Sequence, residues 1–246
     1  MKFSNLSLAV LAGLVSGSAL AQTYTVKLGG AYIDPNARSS EFSGTLPSGM
    51  PARPGVFLEV MPKATAIFSI ERAITDNVSV ELVLGVPPKH DVKLRVSDVT
   101  VENANNSGNP LRALDQHFLH YANETVATVT QSAPTLFVNY KFGQASDAIR
   151  PFVGVGINYT KMEADLTSVG GALYGGVPMT QKLTDSVGPA AQLGLTYKVD
   201  KQWSMNVGVA TAIVSSNLTV SGNGRTHTAE FDFVPAAYSA SVGYSF

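Results

Sequence analysis

The sequence predicts an all-β fold: an eight-stranded antiparallel transmembrane β-barrel with short periplasmic turns and long extracellular loops. Three observations point there. Apolar and polar residues alternate with period two in segments of about ten residues, the length a tilted membrane strand needs. The connections between these segments are alternately short and long, and the last segment ends on a bare aromatic, Phe246. The 246 residues contain no Cys, 14% charged residues, 22 Gly and a formal net charge of -1. This excludes disulfides and thiolate sites, supplies no basic face for nucleic acid, and carries no cofactor motif.

The chain opens on a leader. Lys2 precedes an apolar run from Leu6 to Leu14, and Ala19-Leu20-Ala21 places small residues three and one positions before Gln22. A positive start, a short apolar stretch and such a cleavage site describe a secretory signal at 1–21, leaving 22–246 as one barrel domain. No later segment is apolar enough for a spanning helix, so membrane crossing falls to strands.

The first strand, 23–33, sets Tyr24, Val26 and Leu28 against Lys27 and Gly29. In 62–74, Ala66, Phe68 and Ile70 oppose Thr65, Ser69 and Glu71. After the Thr75-Asp76-Asn77 turn, Val78, Val80, Leu82 and Leu84 oppose Ser79, Glu81, Val83 and Gly85, which makes a hairpin. Leu136, Val138, Tyr140 and Phe142 oppose Thr135, Asn139 and Lys141; Val153, Val155, Ile157 and Tyr159 oppose Gly154, Gly156, Asn158 and Thr160. Leu193, Leu195 and Tyr197 form one face of the sixth strand. Trp203, Met205, Val207, Val209 and Ile213 form that of the seventh, and Ala236 to Phe246 is the eighth.

Short connections at 75–77, 144–150 and 199–202 alternate with long ones near 34–61, 87–131, 161–186 and 215–230. An even number of strands lets the sheet close with no edge left unpaired in lipid. A soluble β-sandwich would show the same period. Aromatics at the strand ends favour the barrel: Tyr24, Tyr32, Tyr140, Phe142, Phe152, Tyr159, Tyr197, Trp203, Tyr244 and Phe246 suit interfacial girdles. So does the Gly-rich inner face, because a small barrel is crowded inside.

Several stretches resemble the OmpW family of small outer-membrane proteins, whose members include AlkL-like import proteins. They are Thr75-Asp76-Asn77 with Val80-Glu81-Leu82, Pro88-Lys89-His90-Asp91, Pro134 to Tyr140 with Phe142-Gly143, Arg150 to Thr160, and Asp185-Ser186 with Gly188 to Gly194. With Trp203, Asn206 and Phe246 in register, the resemblance covers nearly the whole chain after the leader. It implies passive passage of small hydrophobic molecules across the outer membrane, with outer-membrane lipid and lipopolysaccharide as surroundings. It also implies that Tyr244 and Phe246 belong to the terminal signal read by the barrel-assembly machinery.

On that resemblance, solutes enter an extracellular funnel and leave sideways through the wall. A lateral gap needs missing ladder hydrogen bonds, and Pro removes a donor. Pro87, Pro88, Pro134 and Pro189, at the outer strand ends, are the candidate gate; ordinary strand-end proline is the competing explanation. Alignment with the family places the apolar neck of the funnel on Val83 and Ala210, with Phe68 as a neighbour that could repack to fill it. Leu111, Leu114, Phe118 and Tyr121 fall on one side of a short loop helix after Pro110 and are expected to line the funnel. The inward charges Lys27, Glu71, Glu81, Lys141 and Lys198 are expected to pair across the lumen.

Other functions have weaker footing. Ser97, Asp98, Asp115, His117, His120 and His227 could suggest a lipid-modifying enzyme, but no nucleophile motif surrounds any Ser. His90, His117, His120 and His227 lack metal-ligand spacing. The long loops equally suit a surface receptor or adhesin that meets phage or bacteriocin.

Overall fold

The structure, a computed structural model, describes residues 24–246 apart from 43, 47, 48, 177 and 224. The expected leader at 1–21 lies outside the described residues. In chain order the strands are β1 (Tyr24–Asp34), β2 (Val56–Val60), β3 (Lys63–Ala73), β4 (Val78–Gly85) and β5 (Lys89–Val96). Helices α1 (Asp98–Asn105) and α2 (Arg112–His120) follow, then β6 (Thr125–Ser132), β7 (Thr135–Lys141) and β8 (Ile149–Leu166). Helix α3 (Ser168–Leu173) precedes β9 (Thr180–Leu183), β10 (Ser186–Lys198), β11 (Trp203–Ala212), β12 (Val214–Gly222), β13 (Arg225–Phe233) and β14 (Ala236–Ser245).

Eight of these close a ring in the order β1, β3, β4, β7, β8, β10, β11, β14 and back to β1, every pair antiparallel. They are the eight strands the alternation predicts. Leu28, Val155, Ile157, Leu193 and Val207 stand on the outer face and are exposed, which is an apolar belt for lipid. Lys27, Glu71, Glu81, Asn139, Asn158, Thr196 and Asn206 stand on the inner face and are buried.

Side chains fix the short turns. Thr75 Oγ1 accepts the backbone N–H of Asn77 at 3.2 Å and of Val78 at 2.9 Å, while Asn77 Nδ2 donates to the carbonyls of Lys141 and Gly143 in the neighbouring turn. Asp200 Oδ1 accepts from Gln202 and Trp203, both at 2.7 Å. At this end Tyr24 and Phe246 stack with ring centres 6.2 Å apart, and Trp203 meets Tyr244 edge-on at 5.0 Å. These rings form the lower girdle, with the terminal Phe246 held to Tyr24 by two backbone hydrogen bonds.

The structure corrects four expectations. The long connections are not open loops: β2, β5 and β6 extend the sheet from β8, and β9, β12 and β13 form a second sheet, so the outer end is a folded cap. Its core is Leu46, Val56, Leu94, Phe118, Val126, Leu173 and Tyr174. The helix after Pro110 exists as α2, but Phe118 is fully buried in that core, with Leu114 and Tyr121 packed on it and Leu111 exposed before the first turn. The helix therefore braces the cap from outside instead of lining a funnel. Phe152 is no girdle residue: it turns into the lumen, where Lys27 Nζ sits 6.0 Å from its ring centre. Finally, Pro189 is inside β10, paired with Ile157, and its carbonyl accepts from Ile213 at 3.0 Å.

Glycines make room for the two inward rings. A Cβ on Gly156 would lie 2.2 Å from the Leu136 carbonyl oxygen and 2.8 Å from Phe137 Cδ1; one on Gly194 would lie 2.6 Å from Phe152 Cζ. An eight-stranded lumen admits an aromatic only where the facing strand gives up its side chain.

Candidate functional site

The lumen is divided along the barrel axis. At the short-turn end is a polar chamber of about 300 Å³, lined by Thr25, Glu71, Lys141, Thr196 and Lys198 among others. Above it lies a plug. Lys27 Nζ pairs with Glu71 Oε2 at 2.7 Å and with Glu81 Oε1 at 2.8 Å, and Lys141 forms an ion pair with Glu71. Ser69 Oγ donates to Glu81 Oε1 at 2.6 Å, and Asn139 Nδ2 to Glu81 Oε2 at 2.9 Å. Gln192 Nε2 donates to Asn139 Oδ1 at 2.7 Å and to Glu81 Oε2 at 3.2 Å.

Two cations and two carboxylates cancel, and each carboxylate oxygen of Glu81 is held by uncharged donors as well. Burial without such partners would cost several kcal/mol per ion. Strand parity turns all four charges inward, and the register sets Lys27 beside Ser69 and Glu71 beside Glu81. Lys198 stays apart and donates to the Ala145 carbonyl.

Above the plug is a cavity of about 170 Å³, predominantly apolar and walled in part by Val83, Phe137, Ala210, Ala212 and Val214. Val83 and Ala210 pack against a buried cluster of Phe137, Met162, Ala190, Ala212 and Val214, which stands between this cavity and a second one in the cap. Phe68 occupies the opposite parity: in register with Leu28 and Leu84, it belongs to the outer row, 41% exposed, and reaches the cavity only from the wall. The bulky inward side chain at this level is Phe137. The sequence hides it inside Leu136-Phe137-Val138, where both faces are apolar.

The wall beside this cavity is interrupted. Pairing of β4 with β7 ends at Val83 and Thr135, and the next bond between their continuations is Gln131 N–H to the Pro88 carbonyl. Pro87, Pro88 and Pro134 flank the intervening stretch, where the Val86 and Ala133 carbonyls take side-chain donors. Thr65 Oγ1 donates to Val86 O at 2.5 Å, and Ala133 O accepts from Thr135 Oγ1 at 3.1 Å and Asn158 Nδ2 at 3.4 Å. Leu84, Gly85, Pro88, Ala133 and Thr135 all line the cavity. Pro189 lies outside this cluster.

Two of the residues considered for catalysis, Asp115 and His117, have structural partners. Asp115 is fully buried and takes both Arg53 nitrogens, Nε at 2.6 Å and Nη2 at 2.8 Å, and Asn109 Nδ2 at 2.7 Å. His117 Nε2 donates to the Leu173 carbonyl at 2.8 Å. The His227 side chain lies outside the described residues. Among the described residues no three His, Asp or Glu side chains gather as a metal site requires.

A closed eight-stranded barrel with an apolar outer belt, short turns at one end and a folded cap at the other is an outer-membrane barrel. The OmpW family model matches residues 22–246, so the chain belongs to the OmpW family. It is 26% identical over 249 residues to outer membrane protein W of Vibrio cholerae, covering 100% of both chains. It is 28% identical over 172 residues to the Escherichia coli protein of that name, covering 70% of this chain and 68% of that one. The fold resembles the crystal structure of OprG from Pseudomonas aeruginosa, with a TM-score of 0.70, 24% identity, and 92% and 96% of the two chains covered. It also resembles AlkL, solved in DMPC bilayers, with a TM-score of 0.60, 17% identity, and 94% and 93% covered. The protein resides in the bacterial outer membrane.

Proposed function

We propose that the protein passes small hydrophobic molecules from outside into the outer membrane without energy input, through the cap and the upper lumen and then sideways through the wall. The observation that carries this reading is the position of the apolar cavity: closed below by the ionic plug, and bordered by the one stretch where Pro87, Pro88 and Pro134 accompany a break in strand pairing. An apolar solute gains nothing from a polar chamber and gains roughly 25 cal/mol per Å² of its surface on entering hydrocarbon. The wall is its downhill exit.

Val83 and Ala210, backed by Phe137, form the neck in this account, and the break between β4 and β7 is the gate. Pro189 plays no part in it. Purified protein in phospholipid vesicles should speed equilibration of a small hydrocarbon or aromatic while conducting few ions. Large, steady ion conductance with no faster movement of apolar solutes would replace this reading with an open porin.

A further inference from the structure

The cap holds its own cavity of about 90 Å³, lined by Leu58, Val92, Val129, Met162, Leu183 and Phe231 among others, and predominantly apolar. His90, Gln131, Tyr174, Gln181 and Ser216 are the polar side chains in that lining, and two of them carry a buried nitrogen without a partner among the described residues. His90 is 1% exposed; its Nδ1 lies 2.8 Å from the Met61 carbonyl, and its Nε2 has no partner among the described residues. Gln181 also lines the cavity, and its buried Nε2 is likewise without a partner there.

The Met61 carbonyl can only accept, so Nδ1 carries the proton and a neutral ring turns a lone pair on Nε2 toward the cavity. Burial pushes the His90 pKa below the ordinary histidine value, the Met61 bond opposes it in part, and Lys63 lowers and Asp91 raises it by less, so the ring is kept in that form. A buried polar atom left unpaired costs about 1–3 kcal/mol, so a ligand that completes it binds preferentially.

We infer that the cap cavity is a selectivity site for short linear alcohols, the ligand's hydroxyl donating to His90 Nε2 while its oxygen is offered to the Gln181 amide. A hydroxyl both donates and accepts from one atom. An ether or ketone could satisfy Gln181 only, and an alkane neither. The volume argues for a chain: a cavity of about 150 Å³ holds benzene, so 90 Å³ takes a hydroxyl head and its first methylenes but not a ring. This deepens the uptake reading and rests on it.

The test compares 1-hexanol, methyl pentyl ether and hexane with the full protein in phospholipid nanodiscs, reading affinity by competition and equilibration rate in vesicles. After subtraction of protein-free lipid, wild type should prefer the alcohol over both others by about tenfold. His90→Phe should abolish that preference while hexane still moves faster than through bare lipid, and Gln181→Leu should reduce it. The ¹⁵N resonance of His90 Nε2 should shift with hexanol and not with the ether, a readout that needs no variant. Equal handling of all three compounds, or a preference intact in His90→Phe, overturns the inference alone. Failure of every compound to move faster than through lipid overturns the uptake reading and this inference with it.

Discussion

Strand β8 runs through both halves of the molecule, and its two faces exchange character midway. Below, Val153, Val155, Ile157 and Tyr159 point outward and are exposed, while Gly154, Asn158 and Thr160 point inward. Above, the outward positions become Lys161, Glu163 and Asp165, and the inward ones Met162, Ala164 and Leu166. The backbone parity never changes. What changes is the solvent: lipid surrounds the barrel and water surrounds the cap, so the same pleat is apolar-out below and apolar-in above. The crossover between Tyr159 and Lys161 marks the upper membrane boundary to within a residue or two.

That contrast dictates where substitutions hurt. The largest effect is expected in the plug, where Lys27→Met would leave Glu81 with no cation and Glu71 with Lys141 alone. A loss of about 3–5 kcal/mol is expected, seen as a lower midpoint in urea unfolding from micelles. In the cap, Leu94→Ala removes a fully buried side chain and should cost about 2–5 kcal/mol, but locally: protease should cut within the cap while the barrel survives. If both variants lost barrel and cap together, the two halves would be one cooperative unit.

Smaller changes sharpen the comparison. Ala210→Trp adds bulk at the neck without charge, should lower the urea midpoint modestly through overpacking, and at equal surface level should slow larger hydrophobic solutes more than small ones. Acid should loosen the cap before the barrel. His90 resists protonation when folded, so below about pH 6.5 the unfolded cap binds the proton first and stability falls as pH drops further. Amide protection in the cap, taken relative to the intrinsic exchange rate at each pH, should fall between pH 6.5 and 5, and His90→Gln should flatten that dependence. The smallest effect belongs to the exposed Lys161–Glu163 pair, 2.7 Å apart, where Lys161→Met should leave the urea midpoint where it is in wild type.

The same reversal explains what the sequence disclosed and what it concealed. All eight barrel strands are legible because lipid demands an unbroken apolar face from each. The cap strands alternate as regularly, with Lys89, Asp91, Lys93 and Arg95 against His90, Val92, Leu94 and Val96 in β5, but in the opposite sense. A search for outward apolar residues stops at the boundary and reads the rest as loop. The plug charges are legible from parity, as are Val83 and Ala210. Phe137 and Phe152 are not, because an inward aromatic depends on glycines of a neighbouring strand that only the register brings opposite. His90 and Gln181 stand out only once the surrounding side chains are seen to be apolar.

The central claim is that solutes stop above the plug and leave through the wall. The most direct measurement is photolabelling of the protein in bilayers with a small hydrocarbon carrying a diazirine, followed by peptide mapping of the luminal residues. The account predicts label at Val83, Phe137 and Ala210, and at Ala133 and Thr135 beside the break, with none at Thr25, Ser79, Thr196 or Lys198. Label at those last four positions would show solute passing the Lys27–Glu71–Glu81 plug into the polar chamber, and would contradict it.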